Sequence, residues 1–555
     1  MMVLTGSIYL DVFTILIATS VVIIALFKRR YSHWKNAGVE YLEPTIPFGN
    51  LKQAFLQQSS IGEWVVEFYT IMKKRKVKHA GCYFFHEHIY VPIDLDLVKR
   101  IMQIDFVHFT DHGIDFVHFT DHGVYYTDEG KSLSATIFAV GGQRWRNLRT
   151  KLESLSATIF AVGGQRWRNL RTKLSPVFTS GKMKLMFPIM LRISQELDET
   201  MKLMFPIMLR ISQELDETLR RESVENPIDA KDISARFTTD VIGNCAFGIE
   251  CNSLKDPNTE FRVHGRRLFS PTTYDMLRIF VSTVFPNVMR FFGVRVFPRD
   301  ATDFFWNVIK DTAQYRKESG TRRNDAFQLL LDILDDEGQD NSKLNFDEMA
   351  AQAFMFFAAG FETSSTLMSF AVYELAQNQD VQNKLRDEVN KVLDQNEGEL
   401  TYETLFDTPY LDMVISETLR KYPPLPSLSR ECTQDYRIPD TDVVIRKGDG
   451  VAIPVKGIHY DPEYYPDPDR FDPTRFSEEN KSKRHQFAFL PFGEGPRICL
   501  GLRFGLMQVK TGLISLIRNF KLKLNLRTEY PVKYDRKSFL TSPEGGLWID
   551  VEKIN

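Results

Sequence analysis

Apolar positions dominate the chain from Ile8 to Phe27, IYLDVFTILIATSVVIIALF, where Asp11 is the one charge. About 20 residues at about 1.5 Å each match a bilayer core of about 30 Å, so the pattern predicts a membrane-crossing helix. Lys28, Arg29, Arg30 and Lys35 follow it and no basic residue precedes it, which puts the rest of the chain on the cytoplasmic side. A cleaved signal peptide would carry its positive charge first and a shorter apolar run, so an uncleaved anchor over residues 1–30 is expected. No second run of this length occurs, which argues for a single pass. EPTIPFGN, with Pro44, Pro47 and Gly49, then reads as a stiff linker within residues 31–50. One large body, residues 51–555, follows.

Up to about Pro424 the periodicity is mostly helical. LNFDEMAAQAFMFFAAGFETSSTLMSFAVYELAQN predicts a long helix with Asn345 as N-cap and Glu348 completing a capping box. Thr408 and Pro409 read as N-cap and first residue of a later helix, which puts Glu417 and Arg420 on one face at i, i+3. DYRIPDTDVVIRKGDGVAIPV alternates short β-branched runs with turn signals; a Pro/Gly-rich segment and a final helix after Cys499 close the chain. The expected fold is mainly α with a smaller β part (α+β). The aromatic-dense FVSTVFPNVMRFFGVRVF, between Arg262 and Trp306, reads equally as cavity lining, a membrane-resting surface or plain core.

Three segments repeat without a mismatch: IDFVHFTDHG across residues 104–123, SLSATIFAVGGQRWRNLRTKL across 132–174, and MKLMFPIMLRISQELDET across 183–218, at offsets of 10, 22 and 18 residues. Solenoid repeats are degenerate, share one period and recur at least three times. These do none of that and are read as errors of gene assembly or sequence joining, with real duplication as the alternative; without them fifty residues fewer remain. One compact fold offers one slot per element, so one copy of each pair should occupy it and the other be extruded. Eighteen residues make five helical turns, about 27 Å, but Pro188 and Pro206 predict a break.

Charge and cysteine content narrow the function. Seventy Lys and Arg stand against 72 Asp and Glu, a net charge of −2, which excludes a polybasic nucleic-acid binder or an acidic tail protein. With 43% hydrophobic and 26% charged residues the chain is ordinary globular material. Cys82, Cys245, Cys251, Cys432 and Cys499 form no CxxC pair, which argues against a disulfide scaffold or zinc ribbon and leaves a single reactive or metal-bound cysteine open.

That cysteine is Cys499. In FGEGPRICLG two glycines and a proline build a tight loop ending at the thiol and leading into LRFGLMQVKTGLISLI. Free N–H groups and the helix dipole at such a terminus favour a thiolate, and Gly501 leaves room for a flat ligand. A lone cysteine reads as inert and buried; the loop changes that. In the long helix, Gly360 costs about 1 kcal/mol against Ala, a cost explained if the groove opens for a ligand. Beside it, Glu362 and Thr363 put an acid and an alcohol on an apolar element; the rival reading is Thr363 bonding back to a carbonyl one turn away.

F-x-x-G-x-R-x-C-x-G, met at Phe492, Gly495, Arg497, Cys499 and Gly501, resembles the haem-binding signature of the cytochrome P450 family, in which a cysteine thiolate ligates haem. AGFETSS from Ala359 resembles its oxygen-activating segment, Glu417 to Arg420 its E-x-x-R, and Pro473 to Phe476 (PTRF) its P-E-R-F, with Thr474 in place of the usual Glu. PDRF with Arg470 also fits, but Arg475, 24 residues before Cys499, has the family's spacing. The resemblance runs from the anchor to the C-terminus and looks closest to insect microsomal, xenobiotic-metabolising members.

The resemblance implies a haem-thiolate fold with one N-terminal transmembrane helix, haem b bound through Cys499, and a proton relay through Glu362 and Thr363. It implies a buried Glu417, Arg420, Arg475 network holding the cysteine loop. Trp167, Arg171, Arg430 and Arg497 would hold the propionates; Trp145 and Arg149 repeat the first pair, but only the second copy runs on into LSPVF. Arg166, Arg168 and Lys173 belong either to that helix's solvated face or to a basic surface that docks an acidic reductase. The expected activity is insertion of one atom of O2 into an apolar substrate at the endoplasmic reticulum membrane, with electrons from NADPH-cytochrome P450 reductase and optional help from cytochrome b5. The expected pocket is lined by one copy of Phe106 to Val124 and by Ala358, Ala359, Gly360, Leu425, Ser427, Phe539 and Leu540. The rivals are a haem-thiolate isomerase or dehydratase that needs no reductase, and a haem-free inactive protein.

Overall fold

The computed structural model describes residues 8–111, 180–223, 226–284, 298–323, 325–335 and 346–554. Trp145, Arg149, Arg166, Trp167, Arg168, Arg171, Lys173, Asn345 and the duplicated segment 132–174 lie outside the described residues, as does the whole second IDFVHFTDHG copy. Of FVSTVFPNVMRFFGVRVF, residues 285–297 fall outside them.

Among the described residues helices carry most of the body, and short strands form three small sheets. In the first, β1 (His79–Phe84) and β2 (Glu87–Pro92) form a hairpin, β2 runs parallel to β7 (Gly450–Ile453), and β7 pairs antiparallel with β4 (Leu428–Glu431). The second orders β3 (Ile228–Asp229), β9 (Trp548–Lys553) and β8 (Phe520–Leu524); the third pairs β5 (Tyr436–Arg437) with β6 (Val444–Ile445). The expected mixture of many helices and a smaller β part is what the chain forms.

Helix α1 (Ile8–Tyr31) ends in Lys28, Arg29 and Arg30 and leaves Phe13, Leu16, Ile17, Val21, Val22 and Leu26 exposed. Among the described residues no helix is long and apolar enough to cross a membrane. The stretch expected as a linker lies against the first sheet. Trp34 in α2 (His33–Asn36) is fully buried, and its Nε1 donates to the Cys82 carbonyl at 3.0 Å. A Cβ on Gly81 would come 2.3 Å from the Trp34 ring, so the glycine is what admits the indole.

The break expected at Pro188 and Pro206 is absent: one helix runs from Ser180 to Glu222 through both. Pro206 is exposed, so water can satisfy the carbonyl that its missing N–H leaves free. Five whole turns separate the copies, which keeps the apolar stripe in phase. The second copy fills the core slot, with Met204, Phe205, Met208, Ile211 and Leu215 buried.

The central helix, Phe346–Gln377, crosses the helical body. Ala230–Ile242 packs along it on one side and the terminal helix, Leu502–Asn519, on another. Thr408 and Pro409 open the motif helix Pro409–Lys421 as expected, but the Thr408 hydroxyl makes no capping bond. The Glu388 carboxylate instead accepts from Tyr410 N–H at 2.8 Å and Leu411 N–H at 3.0 Å, an anion at the helix N-terminus supplied by the preceding helix.

Candidate functional site

The loop that presents Cys499 is closed by its own backbone: Cys499 N–H donates to the Phe492 carbonyl at 2.9 Å and Ile498 N–H to the Gly495 carbonyl at 3.1 Å. Gly495 has φ of +75°, and a Cβ there would meet the Met102 carbonyl oxygen at 2.0 Å, so only glycine lets the loop lie on that backbone. Gly501 caps the terminal helix, and a Cβ on it would meet no protein atom within 4 Å. The five cysteines are unpaired; Cys499 is exposed and the other four are buried.

Burial and the free N–H groups at the helix start act on this thiol in opposite directions. Burial pushes the Cys499 thiol up, and the N–H of Gly501 offsets only part of that.

Below the loop, Arg420 Nε and Nη2 donate to the two Glu417 carboxylate oxygens at 2.7 and 2.8 Å, both side chains being 0% exposed. Burial works against the Arg420 charge, but Glu417 outweighs it and the guanidinium pKa stands above its ordinary value. Arg475 Nε lies 3.4 Å from Glu417 Oε1, and Arg475 Nη2 donates to the Asp467 carbonyl at 2.8 Å. Arg470 offers Arg420 only a carbonyl, at 3.4 Å, so of the two PxRF matches the one containing Arg475 joins the network. Thr474 N–H and hydroxyl both donate to Asp472.

His459 joins this network to the cysteine loop, a link invisible in the sequence. Its ring is fully buried: Nδ1 lies 3.2 Å from the Arg420 carbonyl and Nε2 accepts from Leu490 N–H at 2.9 Å, while its carbonyl accepts from Arg420 Nη1 at 3.1 Å. Gly493 N–H donates to the Leu490 carbonyl at 3.1 Å, so the ring holds the segment from which the loop springs. Burial, then the nearby Arg420 charge, depress its pKa to about 3. A depressed base stabilises the fold fully above its unfolded value of about 6.5, and that stability is lost as pH falls toward 3. His459→Phe keeps the bulk and loses both bonds. We expect it to release haem faster than wild type, as measured by transfer to a haem scavenger, with a flatter acid limb and partial rescue by Gln.

Along the central helix, Glu362 faces Ala230–Ile242: Lys231 Nζ lies 2.8 Å from its Oε1, and 3.0 Å from both Ser365 Oγ and Thr366 Oγ1. Thr363 donates to the Ala359 carbonyl at 2.7 Å, the back-bonded arrangement set out above as the rival reading. Gly360 does not open a groove for a ligand here. Its missing side chain admits Ile242, whose Cδ1 a Cβ would meet at 2.7 Å, and its carbonyl accepts from Gln508 Nε2 of the terminal helix at 3.0 Å. A cavity of about 1020 Å³ reaches Glu362, and charged groups including Lys231, Asp232, Arg236, Arg262 and Arg266 line it. None of the residues expected to line an apolar pocket is among them. Leu540 is buried, and Phe539 is partly exposed with its ring 6.0 Å from that of Phe269.

Two of the four expected propionate contacts are described. Arg430 is almost fully buried, its Nη1 donating to the Ser429 carbonyl at 2.6 Å. Arg497 Nε and Nη2 donate to the Thr110 carbonyl at 2.8 and 2.6 Å. Asp111 bridges to Glu431, which sets the Arg430 strand beside the segment that holds Arg497. An exposed thiol, open space beside Gly501 and two buried guanidinium groups make a donor set that fits a flat, dianionic porphyrin.

A model of the cytochrome P450 family matches residues 151–549. The chain is 39% identical to probable cytochrome P450 6a23 of Drosophila melanogaster over 530 residues, covering 95% of this chain and 96% of that protein. It is 37% identical to cytochrome P450 6a9 of the same fly, over 98% of this chain and all of that one, and 38% identical to cytochrome P450 6A1 of Musca domestica, over 94% of each. The chain belongs to the cytochrome P450 family. It is thus a P450-type monooxygenase, of a class that binds haem through a cysteine thiolate.

Proposed function

We propose that the chain is a membrane-anchored haem-thiolate monooxygenase that inserts one atom of O2 into an apolar small molecule of the xenobiotic, steroid or fatty acid class. Electrons come from NADPH through NADPH-cytochrome P450 reductase, with cytochrome b5 as a further donor. The observation that carries this is Cys499, an exposed thiol on a backbone-closed loop beside the open space at Gly501. In this reading Cys499 holds the iron; Arg430 and Arg497, with Trp167 and Arg171, hold the propionates; Phe492, Gly495 and Gly501 shape the loop. Haem supplies the capacity to bind and reduce dioxygen. Glu362 and Thr363 deliver protons, which requires Glu362 to part from Lys231 and Thr363 from the Ala359 carbonyl.

Residues 1–30 form the anchor, 31–50 join it to the body and 51–555 form the monooxygenase domain, placed on the cytoplasmic side of the endoplasmic reticulum membrane. The exposed apolar face of α1 and the cations in its last turn support this. The reduced, carbon monoxide-bound difference spectrum is the test. We expect a Soret band at the thiolate position for wild type and its loss in Cys499→Ser; a thiolate band in that variant would overturn the assignment. NADPH-dependent oxygen uptake only with added reductase is expected, and product formation without it would favour the isomerase.

A further inference from the structure

Away from the cysteine loop, three side chains from separate parts of the chain converge on one point. His33 opens α2, His88 lies in β2, and Asp449 sits just before β7. One ligand atom from each falls within 4.8 Å of the other two. His88 Nδ1 is 3.3 Å from Asp449 Oδ1, and His33 Nε2 is 3.6 Å from Oδ2. The nitrogen that His33 turns to Asp449, Nε2, is buried without a hydrogen-bond partner, a condition that in a folded protein calls for a water or an ion.

We propose that His33, His88 and Asp449 form a site for one divalent transition-metal ion, zinc first among them, with water as its fourth ligand. Two imidazoles and one carboxylate suit zinc and its neighbours, whereas calcium and magnesium take oxygen ligands throughout. Tetrahedral bonds of about 2.1 Å place ligand atoms about 3.4 Å apart, close to the separations already present here. The two rings stack at 3.9 Å and 6°, and each lone pair lies in its own ring plane. One ring must therefore turn to share an ion. His33 is free to do so, at 23% exposed on a four-residue helix, while His88 is fixed in a strand and 13% exposed. The site is independent of haem. Because α2 follows α1 directly, a bound ion would clip the residues next to the exposed apolar helix onto the first sheet.

The test titrates zinc chloride alone into the chelator-treated, full-length holoprotein, with zinc counted by elemental analysis so that haem iron does not interfere. We expect a single zinc per chain, a rise in thermal midpoint, and binding weakened at least about 100-fold in His33→Ala and in His88→Ala, a loss no smaller than that seen when outer-shell partners are removed. Zinc retention equal in wild type and both variants, or none above background in wild type, overturns the proposal. Should a variant fail to fold, zinc-edge X-ray absorption of the wild type decides: imidazole scattering supports the site, and its absence overturns it.

Discussion

Arg420→Ala is expected to give a chain that binds no haem. The substitution leaves Glu417 as a buried carboxylate whose bidentate partner is gone, with both groups 0% exposed in the native protein. Removing one partner of a buried ion pair costs about 3–5 kcal/mol, a large fraction of the 5–15 kcal/mol that typically separates folded from unfolded states. The damage is also aimed. The same guanidinium donates to the His459 and Pro468 carbonyls, and the His459 ring holds Leu490 at the root of the cysteine loop. Arg420→Lys restores charge without the two-pronged geometry and should fall between. Haem content per chain and the carbon monoxide difference spectrum measure both variants, and full occupancy in Arg420→Ala would show that the network does not hold the loop.

Gly495→Ala should do comparable harm by another route. The new methyl would sit 2.0 Å from the Met102 carbonyl oxygen, on backbone already at φ of +75°. The obstacle is main chain, so no side-chain rotation relieves it, and strain of this kind alone costs about 1–3 kcal/mol. We expect the loop to lift from Met102, with the carbon monoxide complex absorbing at the shorter wavelength of a lost thiolate. Gly501→Ala is the informative partner, since its Cβ would meet no protein atom within 4 Å and its φ is −88°. That chain should fold with unchanged thermal stability, so any loss of haem would report a clash with the ligand itself. Equal behaviour of the two variants would remove the argument from Met102.

Tertiary placement also corrects local reasoning at two points. Gly360 looked like a ligand groove and is the seat of Ile242. Pro188 and Pro206 promised a break, but an insertion of five whole turns kept the buried stripe in register. At Gly360 a rule valid for an isolated helix met tertiary packing, and at Pro206 it met exposure to water.

The sequence by itself determined what is contiguous. The helical body with its smaller β part, the cysteine loop, the acid–alcohol pair and the i, i+3 pair of Glu417 and Arg420 are written in runs of ten residues or fewer, or in a single periodicity, because their geometry is set by neighbours along the chain. The choice of Arg475 over Arg470 was legible only as a spacing. What the tertiary structure decided is which distant groups meet: Lys231 with Glu362 across 131 positions, His459 with Leu490, Glu388 at the head of the motif helix, and His33 with His88 and Asp449. A lysine or histidine carries no local mark of its partner. Coulomb and hydrogen-bond energies depend on separation in space, and that separation exists only once the helices and the first sheet have packed.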